Sequence, residues 1–202
     1  MANRYKLRFS SNIPRDRNYT VQRLRACEVQ LAAVAEALKI NPNYTPLQFK
    51  ADITNAYRHL NHAWNSRTWS AHRLSPKRSA ASQARDNKKL EQLPTDIELH
   101  DPWGDKPTPA YGAAQAPLAL PKAIDCTLYH LRDCKGEISS IANGLRSNRK
   151  IKYTFAIGIE QAYHHLNYAW NTRHLANNNA WGGHGDAFYE FREMPVDIDF
   201  DN

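Results

Sequence analysis

Four polar side chains, His59, Asn61, Asn65 and Arg67, return at the same mutual spacing as His165, Asn167, Asn171 and Arg173. Paired asparagines one helical turn apart can knit a hydrogen-bond network, or line a binding edge where their amides read a ligand. Arginine beside histidine suits an anion or phosphate, and an arginine near a helix C-terminus also interacts favourably with the helix dipole. Asparagine is a poor mid-helix residue, so two of them kept in both places ask for a reason. Burial with protein partners is the reading favoured here, because buried polar groups are usually satisfied from within.

These side chains ride on a repeat. Ile53–Arg67 matches Ile159–Arg173 at ten of fifteen positions, where background usage gives about one. Upstream, Leu24-Arg25-Ala26-Cys27 matches Leu131-Arg132-Asp133-Cys134, and downstream Leu93-Pro94 matches Met194-Pro195 in the same order. The chain therefore reads as a tandem duplication.

Other chemistries have less behind them. Cys27 and Cys134 fall in an apolar helical register, where cysteine acts as a small hydrophobe, and Cys126 has no matching cysteine. His59 and His62 are spaced for one helix face, but Tyr168 replaces the second histidine in the later segment. No zinc-type spacing, phosphate loop, dinucleotide fingerprint or serine elbow occurs, so neither a metal nor a cofactor is expected. Asp197, Asp199 and Asp201 read as a solvated acidic tail. Arg67-Thr68-Trp69-Ser70-Ala71-His72 resembles the arginine–four–histidine motif of HEPN-type helical ribonucleases. The resemblance covers six residues and implies a ribonuclease alternative in which Arg67 and His72 act on the ribose-phosphate. The second segment departs from it, with Asn178 where the histidine should be.

With 27 Lys and Arg against 20 Asp and Glu, the 202-residue chain carries a net charge of +7. Arg73, Lys77, Arg78, Arg85, Lys88 and Lys89 concentrate part of that surplus and form the candidate nucleic-acid set. Tyr5, Phe9, Trp69 and Trp103 are candidate stacking partners for bases. Hydrophobic residues at 42% and charged residues at 23% fit a globular chain. No apolar run approaches the roughly 20 residues of a membrane helix. Three cysteines and an N-terminus without an apolar signal segment point to a cytoplasmic protein with no membrane partner.

The elements that must position these groups follow from apolar spacing. Leu24, Cys27, Leu31, Val34 and Leu38 mark one helix face, with Thr20 read as its N-cap and Asn41-Pro42 as its stop. Thr45-Pro46 opens a second helix predicted to run to about Trp69. The later unit predicts helices over 125–146 and 154–175, and a short helix is expected within Ala80–Leu90. Tyr5–Phe9 reads as a short strand, and Asp96–Leu99 and Asp197–Phe200 as extended segments. The resulting division is an extended segment 1–19, helical repeat 20–100, Pro-rich connector 101–121 and helical repeat 122–202. The expected fold is mostly α, two related helical hairpins packed as a pseudo-twofold four-helix bundle. The expected function is non-catalytic: a basic binding or adaptor protein, with nucleic acid the leading partner and another protein next. A small-ligand protein with a pocket lined by Asn61, Asn65, Asn167 and Asn171 is a further alternative.

Overall fold

A computed structural model of the chain describes residues 13–94, 118–147, 154–175, 194–195 and 198. It is mostly helical: five helices and no strand are found among the described residues. They are α1 (Arg17–Ile40), α2 (Pro46–Asn65), α3 (Ala80–Glu91), α4 (Ile124–Arg146) and α5 (Thr154–Asn171). The expected strand at Tyr5–Phe9, the stretches Asp96–Leu99 and Asp101–Pro117, and Asp197, Asp199 and Asp201 lie outside the described residues.

Local chemistry sets the helix ends. At α2, Thr45 accepts from the Gln48 N–H at 3.2 Å while the Gln48 side chain accepts from the Thr45 N–H at 2.8 Å, a complete capping box with Pro46 behind it. At α1 the cap is Asp16 rather than Thr20: its carboxylate accepts from the Tyr19 N–H at 3.0 Å. Thr20 lies inside the first turn, and its hydroxyl donates back to the Asp16 carbonyl at 3.0 Å. The α1 helix stops at Ile40, with the Asn41 N–H bonded to Ala37 O. Two expected ends move inward: α2 stops at Asn65 and α5 at Asn171, each followed by a tight turn.

Helix α1 packs on α2 and on α4, α4 on α5, and α3 on α2. One apolar core runs through α1, α2, α4 and α5, with Leu24, Cys27, Leu31, Ile53, Leu60, Leu131, Ile138, Ile159 and Leu166 all shielded from water. Burying a side chain of this kind contributes roughly 1.5–3 kcal/mol, so this core is the main source of stability. Contacts between α2 and α5 are made through large rings. Phe49 stacks on Trp170 with centroids 5.8 Å apart, and Trp64 stacks on Phe155 at 5.9 Å. No described helix is long and apolar enough to cross a membrane.

Candidate functional site: the repeated polar residues and the Arg23 corner

The repeated asparagines are committed to protein partners. Tyr57 Oη donates to Asn167 Oδ1 at 2.7 Å, and Tyr163 Oη donates to Asn61 Oδ1 at 2.5 Å, all four side chains being fully buried. Asn61 Nδ2 donates to Glu91 O at 2.6 Å. Asn65 Nδ2 donates to Leu90 O at 3.1 Å and to Gln92 O at 2.8 Å. These two amides thus receive the carbonyls that α3 leaves unsatisfied at its C-terminus. Asn167 Nδ2 instead meets Met194 Sδ at 3.8 Å, and Asn171 is half-buried at the end of α5. The partners of the Asn61 and Asn65 amides are thus carbonyls at the end of α3.

The repeated arginines share one arrangement. Arg67 Nη1 donates to Trp64 O at 3.0 Å with its guanidinium 4.0 Å from the Trp64 ring centroid. Arg173 does the same to Trp170, at 2.8 Å and 3.9 Å. Each arginine therefore closes the last turn of its helix and covers its own tryptophan. His72 is exposed in the turn that follows. His174 and Leu175 follow Arg173 in the later turn.

The basic set divides in two. Arg73 Nη2 lies 3.1 Å from Asp86 Oδ1 and Arg78 Nη1 lies 2.5 Å from Asp86 Oδ2. Their hydrogen bonds hold the Asp86 carboxyl down to about 2. Arg73 also covers Trp69 at 3.6 Å, so that ring face is already occupied. Lys77, Arg85, Lys88 and Lys89 are exposed, whereas Asp86 and Leu90 of the same helix turn inward.

A second group gathers where the start of α1 meets the end of α2. Tyr19 Oη and His62 Nδ1 share a hydrogen bond of 2.9 Å. His62 Nε2 faces Glu91 Oε1, the last residue of α3, at 3.8 Å. The Arg23 guanidinium lies over the Tyr19 ring, 5.0 Å from its centroid. Burial and then the Arg23 charge lower His59, and burial, Arg23 and His59 lower His62 to about 3. Burial raises the Tyr19 hydroxyl. Both imidazoles are therefore neutral at pH 7 and keep a lone pair, while Arg23 remains the permanent charge.

The matching place on α4 and α5 is built differently. In the sequence register it holds Cys126, His130, His165 and Tyr168 where the first has Tyr19, Arg23, His59 and His62. His130 Nδ1 and His165 Nδ1 are 3.0 Å apart and the Tyr168 ring lies 4.0 Å from that of His130. Burial, then His165, lowers His130 to about 4, and burial pushes the Cys126 thiol up to about 11. Among the described residues no group of three or more His, Cys, Asp or Glu is arranged to hold a metal ion.

No family model matches the chain, and no curated protein or solved structure matches it either. What the site does must come from its own geometry.

Sequence reasoning named His59, Asn61, Asn65, Arg67 and their matches but missed Tyr19, Arg23 and His62 as a group. Those three differ between the two segments, so no identity marks them. The signal lies in the differences: a half-buried corner where tyrosine, arginine and histidine take the register positions of cysteine, histidine and tyrosine.

Proposed function

We propose that the chain is a tandem duplication of a helical hairpin, packed as a pseudo-twofold four-helix bundle, and that it is a non-catalytic protein binding the phosphate backbone of nucleic acid. The reciprocal pairs support the first part: Tyr57 to Asn167 against Tyr163 to Asn61, and Phe49 on Trp170 against Phe155 on Trp64. Within each pair, one contact becomes the other when the two matching segments are exchanged, as two related hairpins facing each other would require.

The binding reading is carried by one observation: α3 and the turn before it expose Lys77, Arg85, Lys88 and Lys89 together. Arg85, Lys88 and Lys89 stand three and four residues apart, so they share one side of the helix. Arg73 and Arg78 serve that face by tying the turn to Asp86. Asn61 and Asn65 anchor its far end. A cationic row on a short, braced helix suits backbone phosphates and carries no means of reading bases.

Filter binding of a duplex oligonucleotide across salt concentration tests this. Three to four neutralised phosphates give a log–log slope of about −3 to −4 on duplex DNA. The triple variant Arg85→Glu, Lys88→Glu, Lys89→Glu should abolish binding while the fold is kept. Absence of binding by the native protein at low salt, or full binding by the triple variant, removes the reading.

A further inference from the structure

The Arg23 corner has the makings of an anion site separate from the exposed face of α3. Arg23 is partly buried, makes no ion pair with a carboxylate among the described residues, and its Nε is shut away from water without a hydrogen-bond acceptor. A guanidinium in that condition is costly, since buried donors and charges are ordinarily paired. The Tyr19 ring lies against it, and its charge reaches the neutral His59 and His62. The two carboxylates of the neighbourhood are engaged elsewhere. Asp16 caps α1 on the Tyr19 N–H, and Glu91 faces the opposite nitrogen of His62. In the matching corner a histidine replaces the arginine, and it is satisfied by His165. Arg23 also bonds the Tyr19 hydroxyl, so what sets the first corner apart is a permanent charge that no carboxylate among the described residues offsets.

We propose that Arg23 and His59, backed by the Tyr19–His62 pair, bind one phosphoryl group of a phosphate monoester. Arg23 presents a planar fork that matches two oxygens of such a group, and half-buried His59 supplies a third donor once protonated. The anion offsets the Arg23 charge, which is one of the two reasons His59 is held neutral. Binding therefore draws a proton onto His59, and affinity rises as pH falls. Arg23 of α1 is the charge that bears on that proton and His62 of α2 responds to it, while Asp16, the N-cap of α1, bears on Tyr19 and Glu91 of α3 on His62. The phosphoryl group can belong to a free mononucleotide or to the end of a strand, and the same contacts would hold either.

Sulfate is the first probe, because its charge does not change between pH 6 and 8. Calorimetry on the full chain should show millimolar or tighter sulfate binding, stronger at pH 6 than at pH 8 by about threefold or more, with proton uptake. Arg23→Gln should weaken it at least tenfold, and Arg23→Lys, which keeps the charge without the fork, should fall between. Thermal melting of both variants checks that the fold survives. No sulfate binding, or equal binding by native protein and Arg23→Gln, overturns the proposal. The source of the group is then resolved by 5′-AMP and by an oligonucleotide with and without a 5′-phosphate. A gain from the terminal phosphate that Arg23→Gln removes identifies a strand end, and binding of 5′-AMP alone identifies a nucleotide. If neither depends on Arg23, the proposal fails. Because Lys77, Arg85, Lys88 and Lys89 take no part, backbone binding and sulfate binding stand or fall separately.

Discussion

The Tyr57 hydroxyl donates to the Asn167 amide oxygen at 2.7 Å, between residues 110 apart in the chain and both out of contact with water. An amide oxygen left there without its donor cannot turn to solvent. Tyr57→Phe should therefore lower stability by about 1–3 kcal/mol, the usual cost of an unsatisfied buried polar group. Urea denaturation with an unchanged slope is the measurement. A loss below about 0.5 kcal/mol would mean that the bond contributes little net stability.

Asn65 holds α3 from outside that helix, through the Leu90 and Gln92 carbonyls. Asn65→Ala should release the C-terminal turn of α3 more than it weakens the core. Hydrogen exchange at Leu90 and Gln92 should accelerate at least tenfold, with Leu24 and Leu131 little affected. Uniform acceleration everywhere would show that α3 is not a separable unit.

The helices themselves were largely legible. Thr45-Pro46 announces its cap because hydroxyl, proline and Gln48 all act locally. The start of α1 was not: Thr20 is as good a cap by type as Asp16, and only the Tyr19 N–H decides between them. The expected end of α2 near Trp69 overshoots, because the helix stops at Asn65 and the Arg67 side chain closes its last turn on the Trp64 carbonyl. The asparagines could be flagged as unusual, yet their partners could not be named. Asn61 and Asn65 bond backbone carbonyls some 25 to 30 residues away, and carbonyls leave no mark in the sequence.

Acid should unfold the chain partly through His62 and His130. Their folded values of about 3 and about 4 lie below the ordinary value of 6.5, so the unfolded chain binds more protons between those limits. Stability therefore falls as pH drops from about 6.5 toward 4, by at most about 1.4 kcal/mol per pH unit for each histidine. Melting temperature against pH reads it. His62→Gln and His130→Gln should each flatten the slope, and an unchanged slope in both would contradict this origin.

Two glycines in helices should respond in opposite directions. A Cβ at Gly136 meets nothing within 4 Å, so Gly136→Ala should stabilise by about 1 kcal/mol. At Gly158 a Cβ would come within 2.7 Å of Ile141 Cγ1 and 2.8 Å of Cδ1, where α5 crosses close to α4. Gly158→Val should cost about 1–3 kcal/mol from overpacking. Thermal melts of the two variants moving the same way would refute the pairing.

All three cysteines sit at zero exposure, and no disulfide joins them. Cys27 Sγ donates to Ala56 O at 3.3 Å and Cys134 Sγ to Ala162 O at 3.2 Å, each tying a first helix to its partner. An alkylating reagent can reach those sulfurs only in molecules that have come apart. The chain thus carries its own clock: the rate at which iodoacetamide consumes Cys27 and Cys134 reports how often each hairpin opens. Two different rates would show that one opens without the other.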